Sequence, residues 1–141
     1  MQNKTELKFI NHACVQVSRG DFSLLTDPWF QGDAFHKGWS LLHELSDAQV
    51  NEIIDSTTHI WISHEHPDHF SISFFKKFKD RIVNNNIQIL FQRTKDKRVE
   101  KFLRSTSFSV KTLESGVWDS ITKDFDILCV QDGFYDSALV I

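Results

Sequence analysis

The chain has 141 residues, of which 40% are hydrophobic and 25% are charged, and its formal net charge is −3. These values are ordinary for a globular protein and exclude an intrinsically disordered chain. The weak negative charge provides no basic field that would hold nucleic acid or an anionic membrane, so neither is an expected partner.

The first third of the chain predicts a β-meander followed by a long loop. The N-terminus is polar and no long apolar run follows it, which predicts no signal peptide, no transmembrane segment and a cytoplasmic location. Strands are predicted over residues 7–11, 13–18 and 22–26, with a turn at 19–21 and an end at Pro28. Residues 29–44 are irregular and rich in aromatic side chains, and they predict a functional loop.

Helices and strands alternate in the rest of the chain. Ser46 and Gln49 have the pattern of a capping box, which begins the first predicted helix. Further helices are predicted over residues 70–80 and 96–104, and further strands over 58–63, 87–91, 108–113, 125–130 and 138–141. This alternation predicts an α/β layered domain. The chain stops inside an apolar strand, which predicts that this single domain, residues 1–141, is truncated.

The strongest chemical signal is the run His64-Glu65-His66-Pro67-Asp68-His69, termed here the histidine loop. Residues two apart point the same way in extended backbone, so His64 and His66 are expected to bind one ion. Pro67 bends the chain and directs Asp68 and His69 to a neighbouring position, where they are expected to bind a second ion. Imidazole and carboxylate ligands together favour zinc or iron over magnesium or calcium.

The histidine loop matches the His-x-His-x-Asp-His signature of the metallo-β-lactamase superfamily, which the chain therefore resembles. The resemblance implies an αβ/βα sandwich with a metal pair at one edge, of which this chain supplies the N-terminal portion only. It also implies that His64 and His66 ligate the first metal, and that Asp68 and His69 ligate the second. The implied nucleophile is a water or hydroxide between the metals, which Asp68 orients or whose proton it moves.

Two further segments resemble particular branches of the superfamily. The run Leu25-Thr26-Asp27-Pro28-Trp29, with Asn11-His12-Ala13 before it, is similar to the branch with ascorbate-6-phosphate lactonase and N-acyl phosphatidylethanolamine phospholipase D. Residues 32–35 and 38–44 resemble the CMP-N-acetylneuraminate hydroxylase family. By this resemblance Asp27 braces the metal site through hydrogen bonds, with a turn-capping role as the alternative. His12 either orients a substrate or ligand, or has a structural role.

The chain departs from the family pattern in its later ligands. The family has a third histidine on the first metal, then a bridging aspartate and a last histidine, but no histidine follows His69 here. The third ligand is expected within residues 131–136, which contain Asp132 and Asp136. Asp132 is the predicted substitute, and a turn residue beside Gly133 is the alternative. The remaining ligands are expected beyond Ile141.

Cys14 and Cys129, the two cysteines of the chain, fall inside predicted strands and are expected to be buried there. The hydroxylase family carries a Rieske iron–sulfur module, which needs paired Cys and His ligands. The two cysteines lack that pattern, so no Rieske cluster is expected in this chain.

Three functions remain open on these observations. The first is a metal-dependent hydrolase of a phosphoester, phosphodiester or lactone, with two divalent ions, zinc preferred and iron the alternative. The second is a di-iron oxygenase acting on a sugar nucleotide with a separate reductase. Both predict a small-molecule substrate, phosphorylated or similar to a sugar nucleotide. The third is a non-catalytic truncated fragment, whose fold a homodimer completes.

Overall fold

The computed structural model describes residues 4–141, and it begins with the predicted meander. The strands β1 (Glu6–Asn11), β2 (Cys14–Arg19) and β3 (Phe22–Thr26) pair antiparallel in chain order. β1 is a largely exposed edge strand, whereas every residue of β3 is buried because layers cover both of its faces. The predicted meander is therefore confirmed.

From β3 onward the sheet is parallel and helices connect its strands. The strands β4 (His59–Ile62), β5 (Gln88–Gln92) and β6 (Ser109–Leu113) extend it to six strands, in the order β1-β2-β3-β4-β5-β6. The connecting helices are α1 (Asp47–Asp55), α2 (Ile72–Lys77), α3 (Lys79–Asn84) and α4 (Arg98–Ser105). Because β3, β4 and β5 run in the same direction, the residues that follow them meet at one edge of the sheet.

A second sheet has three antiparallel strands, β7 (Trp118–Thr122), β8 (Phe125–Asp132) and β9 (Asp136–Val140). The alternation of side chains along a strand explains why layers pack on both faces of the first sheet. Leu24 and Leu90 pack in one apolar cluster with Phe125 of β8. Their chain neighbours Leu25 and Ile89 belong to the other cluster, whose helical members include Val50, Ile54, Phe75, Ile82 and Leu103.

Two predicted helices differ from the structure, and one strand of the structure has no predicted counterpart. The helix predicted over residues 70–80 is two helices, α2 and α3, which meet at Phe78, where the backbone leaves the α-helical region with ψ of 14°. The helix predicted from residue 96 begins at Arg98, because the Asp96 carboxylate accepts the Arg98 N–H at 2.9 Å and holds a turn there. β7 was not predicted, since its residues are exposed or half-buried and show little apolar alternation.

Two other local predictions, the capping box and the burial of both cysteines, are confirmed. The Ser46 hydroxyl accepts the Gln49 N–H and the Gln49 side chain accepts the Ser46 N–H, which completes the capping box of α1. Cys14 and Cys129 are both buried and both free. Within residues 4–141, every helix is too short or too polar to cross a membrane.

Candidate metal centre

The histidine loop lies at the edge of the sheet where the parallel strands end. Ser63 and the loop follow β4, Asp27 follows β3, and Gln92 ends β5. The loop closes on itself, because the His66 carbonyl accepts the N–H of His69 at 2.9 Å and of Phe70 at 2.6 Å. This turn separates the first half of the loop from the second and directs their side chains to adjacent positions.

The first half brings two histidines together, as their spacing predicts. Nε2 of His64 lies 3.0 Å from Nδ1 of His66, close enough for one ion to contact both rings. Burial lowers the pKa of His64, and the charge of His69 acts in the same direction, against the opposing charge of Asp136. A lowered pKa favours the neutral ring, which is the form that binds a metal.

The second half forms a cluster of two histidines and one carboxylate. Oδ2 of Asp68 lies 2.9 Å from Nε2 of His12 and 3.3 Å from Nε2 of His69. The ligand atoms of these three residues all lie within 4.8 Å of one another. Asp68 is only 4% exposed, and its Oδ1 has no hydrogen-bond partner among the described residues. A buried carboxylate oxygen without a donor is costly, and a cation would satisfy it.

His12 is therefore closer to the centre than the sequence suggests. From the sequence, His12 has either an orienting role or a structural one, whereas in the structure its ring shares the Asp68 carboxylate with His69. The backbone of His12 has φ of 46°, an uncommon value for a residue other than glycine. The similarity at Asn11-His12-Ala13 does not by itself indicate this contact, because the contact joins the β1–β2 turn to a loop 56 residues later in the chain.

Asp27 holds both Ser63 and His69. Its Oδ1 accepts the Ser63 N–H at 2.7 Å, and its Oδ2 accepts the Ser63 hydroxyl at 2.6 Å and Nδ1 of His69 at 2.9 Å. Burial alone would lower the pKa of His69, but the hydrogen bond and charge of Asp27, with the charge of Asp68, raise it. The bond to Nδ1 leaves Nε2 of His69 facing Asp68, as in sites where an outer carboxylate orients a ligand. The predicted hydrogen bonding of Asp27 is thus present, while the role of Ser63 was missed.

The carboxylate beside His64 is Asp136 and not Asp132. Oδ1 of Asp136 lies 3.4 Å from Nδ1 of His64, whereas Asp132 is exposed at the end of β8. The two residues pair across the β8–β9 hairpin, and the first residues of β9 are those that contact the histidine loop. Of the two carboxylates in the segment where a third ligand is expected, Asp136 is therefore the one beside His64, and Asp132 is not.

Aromatic side chains from the predicted long loop cover the centre. The ring of Trp39 lies 6.2 Å from that of His12, and the ring of Phe35 lies 6.0 Å from that of His66. Both rings are carried by a left-handed turn in which Phe35, His36 and Lys37 have φ of 50°, 53° and 70°. A pair of hydrogen bonds between Ala34 and Trp39 closes the turn. The loop thus spans both halves of the site.

A cleft of about 980 Å³ opens beside Glu65 and His66. The β5–α4 loop lines one wall with residues 93–98, and the hairpin tip lines the other with Phe134 and Tyr135. Phe134 is 82% exposed, so an aromatic face is available to a bound molecule. The Glu65 carboxylate lies away from the metal centre, 3.9 Å from the Arg98 guanidinium.

The layered fold and the histidine loop together define part of a metallo-β-lactamase-like sandwich. A family model described as the beta-lactamase superfamily domain matches residues 6–128, and the chain belongs to this superfamily. The predicted resemblance and the predicted fold class are both confirmed.

Two similar proteins are described as hydroxylases. The cytidine monophosphate-N-acetylneuraminic acid hydroxylase of Gorilla gorilla gorilla is 26% identical over 147 residues, covering 98% of this chain and 23% of the relative. The crystal structure of CmlA, a diiron beta-hydroxylase from Streptomyces venezuelae, has a TM-score of 0.71 at 16% identity, covering 99% of this chain and 27% of CmlA.

A third similar protein carries a different description. The structure of a possible metal-dependent hydrolase from Veillonella parvula DSM 2008 has a TM-score of 0.60 at 15% identity, covering 92% of this chain and 47% of that one. At these identities both structural likenesses concern the fold alone. The chain spans about a quarter of the length of the curated relatives it matches.

Proposed function

We propose that this chain provides part of the metal centre of a non-haem iron hydroxylase. The observation that carries the proposal is the Asp136 carboxylate, which lies beside His64 where the superfamily pattern has a third histidine. Two imidazoles and one carboxylate are the ligand set of non-haem iron oxygenases. The hydroxylase names of the relatives support the same choice over zinc.

The donor types of the described residues suit a pair of ions. His64 and His66 would hold the first through Nε2 and Nδ1, and Asp136, whose carboxylate faces Nδ1 of His64, would complete the ligand set by turning towards the ion. His12, Asp68 and His69 would hold the second, with the unpartnered Asp68 Oδ1 as an available ligand atom. Iron, when bound, supplies the one-electron and oxygen chemistry that hydroxylation requires, and a separate reductase would supply electrons.

The surrounding residues prepare the ligands and limit access of water. Asp27 and Ser63 fix the ring of His69, so that Nε2 faces the ion position. Phe35 and Trp39 cover the two halves of the site with apolar rings and leave the cleft beside His66 as an approach for substrate.

An anionic sugar nucleotide is the substrate class we propose for the cleft. Arg93, Lys97 and Arg98 already pair with carboxylates, whereas Lys95 on the same wall has no ion pair among the described residues. A free ammonium group suits a phosphate, and the exposed Phe134 ring suits a base or sugar face.

Titration of the chain with CMP by calorimetry tests this substrate class, and Lys95→Gln should weaken CMP binding about ten-fold. The exposed Lys123 is the control, and equal binding by Lys95→Gln and Lys123→Gln would contradict the assignment.

The iron centre itself is tested by metal binding. The chain is loaded with ferrous iron under anaerobic conditions, and its iron content and affinity are measured. Asp136→Asn should lower iron affinity about ten-fold or more, because an amide is a weaker ligand than a carboxylate, and His66→Ala should do the same. Asp132→Asn is the matched control at the other side of the hairpin. Equal affinity of Asp136→Asn and Asp132→Asn would exclude Asp136 from the ligand set.

A zinc-dependent hydrolase is the second candidate, and the description of the similar Veillonella protein as a possible metal-dependent hydrolase supports it. Histidine and carboxylate ligands also suit zinc, and Asp68 could then accept a proton from water. Hydrolysis of bis(p-nitrophenyl) phosphate by the zinc-loaded chain, without oxygen or reductant and lost in His66→Ala, would favour the hydrolase. Oxygen-dependent turnover by the iron-loaded chain would favour the hydroxylase.

A further inference from the structure

Ser63, the residue before the histidine loop, is bonded from two sides. Its N–H and hydroxyl donate to Asp27, as described above. Its carbonyl oxygen accepts two bonds, from Nε2 of Gln92 at 2.9 Å and from the hydroxyl of Ser137 at 2.6 Å. Gln92 reaches this carbonyl because Ile62 and Phe91 are partners in the parallel ladder, so the next residues of the two strands lie side by side.

Gln92 also bonds the β8–β9 hairpin. The same Nε2 that donates to Ser63 donates to the carbonyl oxygen of Tyr135. Both partners are carbonyl oxygens, which fixes the orientation of the amide, since only its nitrogen can donate. The hairpin is therefore tied to Ser63 through Gln92 at Tyr135 and directly through Ser137. Asp136 is the residue between these two attachment points.

The amide of Gln92 is not explained by the stability of the core. Gln92 is 2% exposed, and its Oε1 has no hydrogen-bond partner among the described residues. A buried acceptor without a donor is unfavourable, and an apolar side chain of the same shape would avoid it. What the amide provides is the pair of donated bonds that hold the hairpin against the histidine loop.

We propose that Gln92 is a positioning residue that, with Ser137, fixes the Asp136 carboxylate beside His64. This inference rests on the proposed function, in which Asp136 ligates the first metal. Its consequence is that the strength and geometry of the metal site depend on a glutamine that does not contact the metal. Residues that orient ligands in this way change metal affinity by about ten- to a hundred-fold when they are replaced.

The test compares two buried glutamines of the same sheet. Gln92→Leu removes both donated bonds and the unpartnered oxygen. The control is Gln16→Leu, because Gln16 is also buried and its amide bonds to Ser23, Ser56 and Thr57, at the opposite ends of β3 and β4. Each variant of the full chain is titrated with cobalt(II), whose visible absorption reports coordination geometry, and circular dichroism checks that it folds.

Gln92→Leu should bind cobalt about ten-fold or more weakly and change its visible spectrum, as Asp136→Asn does, while Gln16→Leu changes neither. The double variant Gln92→Leu with Asp136→Asn should lose no more cobalt affinity than either single variant, since both changes remove the same ligand. Ser137→Ala should shift the spectrum in the same direction, and it serves if Gln92→Leu does not fold. A wild-type spectrum in Gln92→Leu and Ser137→Ala, with a changed one in Asp136→Asn, overturns the positioning role alone. A wild-type spectrum in Asp136→Asn overturns the proposed ligand set as well.

Discussion

Backbone strain in the described residues is concentrated around the metal centre. Of seven residues other than glycine with positive φ, five are His12, Asp27, Phe35, His36 and Lys37. Each such residue costs about 1–2 kcal/mol, because its Cβ crowds the following carbonyl oxygen. Three in succession are sustained only where the surrounding structure requires them, and such strain gathers at functional sites. Here the turn carries two of the rings that cover the site.

The strain at His36 predicts a stabilising substitution. His36 is exposed and its side chain has no hydrogen bond among those described. His36→Gly should raise the free energy of unfolding by about 0.5–1 kcal/mol, because relief of the left-handed strain exceeds the added entropy of the unfolded chain. Urea denaturation measures the change. The control is Asp33→Gly in the same loop, where φ is not positive and the substitution should destabilise. Loss of stability in both variants would count against strain at residue 36.

For single residues, the sequence predicts candidate ligands that are neighbours in the chain, and it does not predict contacts between residues that are far apart in the chain. The histidine loop is visible because its ligands are neighbours in the chain. His12 in the Asp68 cluster, and Gln92 on Ser63, depend on which strands become neighbours in the sheet. Asp132 and Asp136 are the same residue type in the same segment, and only the geometry of the β8–β9 hairpin determines which of them lies beside His64.

Among the elements, α1 and α3 are joined by an ion pair whose pH dependence can be predicted. The Arg81 guanidinium donates to both carboxylate oxygens of Asp55, at 2.7 and 2.6 Å. These bonds, with one from Asn85, lower the pKa of Asp55 from 3.8 to about 2. The folded-state pKa is below the unfolded one, so the stabilisation is fully present above pH 3.8 and is lost as pH falls towards 2.

Asp55→Asn should therefore flatten the acid limb of the stability curve. Urea midpoints measured between pH 2 and pH 6 should fall less steeply for this variant than for the wild type over the window between the two pKa values. Both side chains are about half exposed, so the effect should shrink further in 1 M salt. Asp21→Asn, an exposed carboxylate in the β2–β3 turn, is the control. The same flattening in Asp21→Asn would contradict the assignment to this ion pair.

Element types follow from local pattern more reliably than element ends do. A helix is predicted where α2 lies, and its phenylalanines, Phe74 and Phe75, are on the buried face. The break at Phe78 is different, because no proline or glycine marks it and the chain turns there to pack Ile82 into the core. β7 is detectable only through its pairing with β8, a tertiary contact that its own composition does not encode.

On the scale of the whole molecule, the three-stranded sheet has two apolar faces and only one of them is covered. Its inner face packs on the six-stranded sheet through Phe125, Ile127 and Cys129. Its outer face presents the cross-strand pairs Leu128–Val140 and Val130–Ala138. Strands that are apolar on both faces are typical of a sheet with layers on both sides, and an exposed apolar patch of this kind usually marks an interface.

We predict that the chain associates through this outer face as a homodimer, the association that the third of the sequence-based alternatives includes. Val130 is 40% and Val140 45% exposed, so replacing both by threonine keeps the shape and strand preference while adding a hydroxyl to each. Val130→Thr with Val140→Thr should move the sedimentation coefficient towards the monomer value at a concentration where the wild type is associated. Leu42→Thr removes a still more exposed apolar group from the long loop and should leave association unchanged. If the Leu42 variant dissociates instead, the interface lies on the side of the metal centre, and the second copy would then cover the aromatic loop.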